Sequence, residues 1–411
     1  MDSIAKYDMS VLGMLLALMY AARQHYCLRG VTYRRTVIPL SVERAGKAGF
    51  YLLSLAFADA GLRRFGEALW AAGLCVPPAS SRMAVRLRLA LLHVPMATWA
   101  LLGPLSVAGS TRDDRGFSLA CTRSRLWFFI SQWLFNGRTK IFLSEEWRNV
   151  SEEDRAKWAG RHYVIGMHPH GLLPIGAILN GLTWAGGGLT GVTTSGAKLS
   201  EPANAGDGLH QRWFPRMELR AAVASGACGL TPGFYEMFTK LGAFECTKPF
   251  MQKVLREGKD VAVFPGGALE SRYAIPGRYI CVIKNRKGFV RLAIEERRDI
   301  LPMYTFGDEA LLPQMAEPPR AIIALQDLVK EVFGLLVPPT LAGLPQRPPL
   351  TLVTGVPISL EDLWSERVGG EVGQAAVDEG HARYVSAMQA LFDTNKAHVL
   401  GGHAEASIEF I

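Results

Sequence analysis

The 411-residue chain is long enough for two or three ordinary domains, or for one large domain with extensions, and it buries a core with ease. Its 49% apolar and 20% charged residues exclude a disordered or collagen-like chain, and a mean hydropathy of +0.13 points towards a membrane. The net charge of +8 suits anionic partners such as phospholipid, nucleic acid or a phosphorylated cofactor. Six scattered cysteines with no CxxC pair exclude a zinc ribbon or a disulfide scaffold and read as reduced thiols.

In chain order, the first apolar run is Val11 to Ala22, uncharged but too short to span a bilayer securely. Leu89 to Gly109 has 21 residues without formal charge, flanked by Arg86 and Arg88 before it and by Arg112, Asp113, Asp114 and Arg115 after it. That length matches the roughly 20 residues a spanning helix needs. Pro95 and Pro104 interrupt it, which fits either a buried membrane helix or a broken hairpin that dips into one leaflet; a core helix is the alternative. Arg125 to Phe135 interleaves aromatic residues with a basic rim, as an element at a membrane–water interface does, although an ordinary core helix has the same pattern. The expectation is an N-terminal hydrophobic, membrane-embedded helical region over 1–124, with a bilayer segment near 89–109, and a second domain over 125–411.

From about Arg161 the pattern becomes α/β. Tyr163–Met167, Asp260–Phe264, Ile300–Tyr304 and Leu350–Val353 read as short buried strands, and Phe250–Glu257 and Phe289–Arg298 as helices between them. Alternation of this kind predicts a mixed, largely parallel sheet flanked by helices. No repeat or low-complexity tract is present, and the proline-rich stretch from Val337 to Leu350 reads as a loop.

Three clusters carry chemistry. His168-Pro169-His170-Gly171 follows the first strand directly, at the sheet edge where ligands of open α/β folds sit. A neutral histidine there can take a proton from a hydroxyl. A zinc site could use the same His-x-His, but it needs a third protein ligand for which no nearby motif stands out, so no metal is expected. Pro265-Gly266-Gly267-Ala268-Leu269-Glu270 also follows a strand. The backbone N–H groups of Gly266 and Gly267 could face an oxyanion or a phosphate, and Glu270 could bind a hydroxyl or orient a histidine. Lys284, Arg286, Lys287 and Arg291 place four positive charges in eight residues around Gly288, where a helix opens. That is a phosphate cradle or a solvated basic face. No nucleic-acid motif accompanies it, so nucleic acid is not an expected partner.

Taken in this order, HPHG, the Gly-Gly-x-x-Glu turn and the RKGF-type motif resemble the type-2 diacylglycerol acyltransferase family, which includes monoacylglycerol and wax-alcohol acyltransferases. The resemblance extends over Asn285–Ala293, Ile300–Asp308, Phe214-Pro215, Leu352–Pro357, His381–Tyr384, Leu391–Asp393 and Lys396, and covers about Arg125 to Lys396. Departures exist. The family's Tyr-Phe-Pro has only Leu134-Phe135-Asn136 as its nearest match, and Thr183–Gly208 reads as an insertion. Wider glycerolipid acyltransferases carry an Asp five residues after the histidine; Leu173 and Ile175 stand there instead, which leaves Glu270 as the candidate orienter.

The resemblance implies a glycerolipid-acyltransferase-like fold and an acyl-CoA:diacylglycerol O-acyltransferase making triacylglycerol. His168, His170 and Glu270 would be catalytic, with His170 as the favoured base. Gly266, Gly267, Lys284, Arg286, Lys287 and Gly288 would face acyl-CoA, a co-substrate rather than a resident cofactor. The bilayer is an expected partner, and a homo-oligomer is compatible with the sequence. The endoplasmic reticulum membrane, with the catalytic region cytosolic, and the lipid-droplet surface are the expected locations. Monoacylglycerol or a wax alcohol is the alternative acceptor; an inactive lipid-binding membrane scaffold is the reading from a different class.

Overall fold

Seven short apolar segments pair into one sheet in the computed structural model, which describes residues 139–171, 174–177, 193–199, 213–223, 241–311, 313–324, 327, 348–401 and 405–411. The strands are β1 (Thr139–Leu143), β2 (Tyr163–His168), β3 (Leu219–Val223), β4 (Ala243–Glu245), β5 (Asp260–Val263), β7 (Asp299–Phe306) and β8 (Leu350–Thr354), in the order β1-β8-β7-β2-β5-β3-β4. All neighbours are parallel except β7 and β8. Two small ribbons lie outside the sheet: β6 (Tyr279–Cys281) with β11 (Ile408–Phe410), and β9 (Arg367–Val368) with β10 (Glu371–Val372). The helices are α1 (Glu152–Ala159), the short turn α2 (Ile175–Ala177), α3 (Lys248–Arg256), α4 (Gly288–Glu295), α5 (Asp308–Leu311) and α6 (Gln374–Leu400).

The four strands and two helices expected from the sequence all form, within one to three residues at each end. The mixed, largely parallel α/β sheet is as expected. The orientation of β8 was not legible: it runs against β7, with Met303 opposite Thr354 and Phe306 opposite Thr351. The Gly355-Val356-Pro357 turn therefore lies at the sheet edge opposite HPHG. Val11–Ala22, the 89–109 segment, Arg125–Phe135 and most of Thr183–Gly208 lie outside the described residues. Among the described residues no helix is long and apolar enough to cross a membrane.

Strand parity sorts the core into two faces, because successive side chains in a strand point to opposite sides. Val164, Val261, Ile300, Tyr304 and Val353 face α3, α4 and α6. Tyr163, Ile165, Met167, Leu301, Met303 and Leu352 face Trp147, Trp213 and Phe214. Both faces are covered, so β2, β5, β7 and β8 are buried at every position, as central strands of α/β sheets are. Phe214, carried by the Phe-Pro motif, is a core residue: its ring packs edge-on against Trp147 and Tyr163. At the amino edge two buried carboxylates fix the register. Asp260 accepts the N–H groups of Tyr163 (2.5 Å) and Glu218 (2.8 Å); Asp299 accepts that of Leu360 (3.0 Å) and pairs with Arg161.

Candidate active site

β2 ends in His168, and its neighbours β5 and β7 run parallel to it. The turns after all three strands therefore meet at one edge. Along β2, Gly166 and His168 share the face that α6 covers, while Pro169 and Gly171 turn the chain so that His170 lies on the edge itself. The His168–Pro169 bond is cis.

Glu270 organises this turn from 100 residues away. After β5 the chain enters a 3-10 turn, Gly267–Tyr273, that sends the Glu270 side chain back into the sheet edge. Gly266 is required for this fold-back, since a Cβ there would stand 2.3 Å from the Glu270 carboxyl carbon. The buried carboxyl group accepts three donors: His168 Nδ1–H (2.7 Å), the backbone N–H of His170 (2.7 Å) and the backbone N–H of Val282 (2.9 Å). It thus ties together HPHG, its own turn and the segment after β6. The sequence left open whether Glu270 would touch substrate or orient a histidine; its oxygens are occupied in the second task.

The two histidines sit in different environments. His168 is 1% exposed, and its Nε2 has no hydrogen-bond partner among the described residues. Beside it lie two more unpartnered groups, Tyr384 Oη and Tyr304 Oη, whose phenols burial holds well above their ordinary pKa. Tyr304 is the register partner of His168, and the Tyr384 ring lies 6.1 Å from the His168 ring. His170 is half-buried, packed edge-on against Phe264 at 5.2 Å. Its Nδ1–H donates to the Gly171 carbonyl (3.0 Å), which leaves the Nε2 lone pair as the basic site. Burial pushes its pKa below the ordinary imidazole value, so the ring is neutral at pH 7.

His168, Glu270 and Cys281 each present one metal-ligating atom, all within 4.8 Å of one another. Glu270, however, already accepts from His168 and from two backbone amides, so a cation would have to break a satisfied network. Cys281, buried and with a thiol pKa raised by burial, fills space beside this network.

The glycine pair and the basic motif resolve residue by residue. The Gly267 N–H donates to the Phe264 carbonyl (2.9 Å), closing the turn. Of the two amides, only that of Gly266 has no partner among the described residues. The basic segment reaches the same edge. α4 leads into the start of β7, so its N-terminus points to the carboxyl edge, and Phe289 in its first turn packs on Tyr384 at 4.8 Å. Lys287, at the helix start, pairs with Asp378 (2.7 Å), and Arg291 is held by the Val372 carbonyl and Gln374. Lys284 and Arg286 are exposed and form no ion pair among the described residues. A Cβ on Gly288 would meet open space, so that glycine is not demanded sterically. His381 Nε2 donates to the Ile283 carbonyl (2.9 Å) and anchors the segment to α6.

Sequence reasoning missed Tyr384, Tyr304 and Asp308 as parts of this edge. All three lie within the stretches that carry the family resemblance, and that was the available signal.

A family model described as diacylglycerol acyltransferase matches residues 207–406, just under half of the chain and downstream of HPHG. A diacylglycerol O-acyltransferase 2 of Danio rerio is 28% identical over 250 residues, covering 57% of this chain and 61% of that protein. The corresponding protein of Bos taurus is 26% identical over 280 residues, 65% of this chain and 70% of that one. The Homo sapiens acyl-CoA wax alcohol acyltransferase 1 is 26% identical over 249 residues, 58% of this chain and 67% of that one. The match to the first of these thus spans about three fifths of the relative's length. No solved structure matches the chain. HPHG, the Gly-Gly-x-x-Glu turn and the basic motif are gathered at one sheet edge, and these matches show the chain to be similar to diacylglycerol acyltransferases of the type-2 family.

Proposed function

We propose that this protein transfers a fatty acyl group from acyl-CoA to the free hydroxyl of diacylglycerol, with His170 as general base. The observation that carries the reading is the state of His170: neutral, its Nδ1–H held by Gly171, its backbone fixed by Glu270, its Nε2 unprotonated. The Nε2 atom takes the hydroxyl proton as the acceptor oxygen attacks the thioester carbonyl carbon. The tetrahedral oxyanion needs donors, and the Gly266 amide is the candidate at this edge. The carbon–sulfur bond then breaks, CoA leaves as a thiolate, and the proton on His170 passes to it. Ester and free CoA are the products, and no acyl-enzyme is required because a positioned base delivers the alcohol directly. His168 acts on the turn through Glu270 rather than on the substrate.

Lys284 and Arg286, which pair with no carboxylate among the described residues and lie beside the start of α4, are the candidates for CoA phosphates. Lys287 is less available because Asp378 neutralises it. Substrates as insoluble as diacylglycerol require contact with a bilayer. The 89–109 segment and the aromatic-basic Arg125–Phe135 stretch are the candidates for that contact, at the endoplasmic reticulum membrane and the lipid-droplet surface with the catalytic edge cytosolic. A wax alcohol is a second acceptor reading, favoured by the wax-alcohol relative.

The test is acyl transfer in microsomes of a lipid-droplet-deficient host expressing the chain. Labelled oleoyl-CoA is offered with diacylglycerol, monoacylglycerol or a fatty alcohol in parallel. Label in triacylglycerol is expected, and Arg286→Glu should raise the acyl-CoA KM. Label in another ester alone would overturn the acceptor, and no label in any ester from membrane-resident protein would leave a lipid-binding scaffold.

A further inference from the structure

The resemblance leaves Asp308 without a role, yet it is among the most constrained acids in the fold. β7 ends at Phe306, and Gly307, at φ +102°, reverses the chain into α5. A Cβ at Gly307 would stand 2.2 Å from the Pro349 carbonyl oxygen, so the reversal admits only glycine. It drops Asp308 onto the back of the HPHG turn. The Asp308 carbonyl oxygen lies 3.1 Å from where a Cβ on Gly171 would be, and its two carboxyl oxygens lie 3.1 and 3.2 Å from where one on Gly176 would be. Oδ1 accepts the Gly176 N–H (3.0 Å), and the Ala177 N–H also points to this carboxyl group. Gly171 thus lies against the Asp308 carbonyl, and Gly176 and Ala177 against its carboxyl group.

Its charge state follows from its surroundings. Asp308 is 1% exposed, and no Lys, Arg or His forms an ion pair with it among the described residues. Among the described residues its charge-bearing neighbour is Glu309, itself buried, whose Oε2 accepts the Gly307 N–H (2.9 Å). A carboxylate in that position would be desolvated, uncompensated and next to a second acid. Burial accordingly lifts the Asp308 carboxyl far above the ordinary aspartate range. Oδ2 has no hydrogen-bond partner among the described residues. On the neutral form it carries the proton, while Oδ1 remains the acceptor for the amides.

We propose that Asp308 is a positioning residue for His170: its carboxyl group holds Gly176 and Ala177, and its carbonyl backs Gly171, at the carboxyl end of β7, and so it fixes the turn that carries the base. It works as a neutral carboxylic acid. This does for the HPHG turn, from the far end of β7, what an acid five residues after the histidine would do locally. Glu270 holds the front of the turn and Asp308 the back.

The proposal rests on the acyl-transfer reading above, and the experiment separates the two. Wild type, Asp308→Asn and Asp308→Ala are compared in the same microsomal assay, with kcat and acyl-CoA KM measured for each. Asparagine keeps the amide-accepting oxygen and puts donor hydrogens where the carboxyl proton sits, so Asp308→Asn should stay within about threefold of wild-type kcat. Asp308→Ala frees the turn and should lower kcat by about tenfold to a hundredfold with little change in KM, the scale expected of a slightly misplaced base. A general packing role would not make the amide isostere rescue the rate. Asp308→Asn as poor as Asp308→Ala would overturn the proposal, since an ionised carboxylate would then be in use, and so would wild-type kcat in Asp308→Ala. If Asp308→Ala does not accumulate in the membrane, Asp308→Asn alone decides. Absence of transfer by wild type would sink the acyl-transfer reading and this proposal with it, an outcome distinct from wild-type transfer with the variants failing to separate.

Discussion

His170 is half-buried and neutral, and that fixes how the reaction responds to pH. Burial lowers its pKa below the ordinary imidazole value of 6.5. A base must be unprotonated, so kcat/KM should rise with pH through this depressed value and be level by neutrality. The acid limb should therefore fall below pH 6.5, measurable with initial rates from about pH 5 to 8. A limb centred above 6.5 would mean that a different group, or a solvated histidine, is titrating. The histidines themselves were legible in the sequence, because Pro and Gly beside two imidazoles after a strand make little sense as packing alone. Their division of labour was not. His168 turns inward to Glu270 and His170 stays at the edge, a distinction set by strand parity and by a carboxyl group 102 residues away in sequence.

At the scale of elements, α6 is locked onto β2 by one missing side chain. A Cβ on Gly166 would come within 2.1 Å of Tyr384 Oη and 2.6 Å of the ring carbon behind it. The Tyr384 ring cannot swing away easily, since Phe289 packs on it and it is fully buried. Gly166→Ala should therefore cost about 1–3 kcal/mol through overpacking. It should lower the thermal midpoint of the detergent-solubilised protein by several degrees. Adding Tyr384→Phe removes the nearest clashing atom and should recover part of that loss. An unchanged midpoint in Gly166→Ala would contradict this packing. The same element shows what sequence pattern carries and what it omits. The helices and buried strands were readable from apolar runs. The antiparallel setting of β8 was not, because a buried strand has the same apolar run in either direction. Four positive charges in eight residues were likewise visible, but Asp378, Val372 and Gln374, which occupy Lys287 and Arg291, come from elements far along the chain.

For the whole molecule, the sheet converts three separated motifs into one edge. β2 delivers HPHG, β5 delivers the glycine turn and Glu270, and the segment after β6 delivers the basic residues. Glu270 bonds to the first and the last of these at once. In the proposed reaction this edge performs base-assisted acyl transfer through His170. The most direct measurement is the rate of labelled triacylglycerol formation by His170→Ala against wild type in microsomes, at matched membrane abundance and with acyl-CoA KM determined. The expected kcat is lower by about 10²-fold or more with KM nearly unchanged, as removal of a general base requires. A His170→Ala enzyme that keeps its wild-type kcat would contradict it.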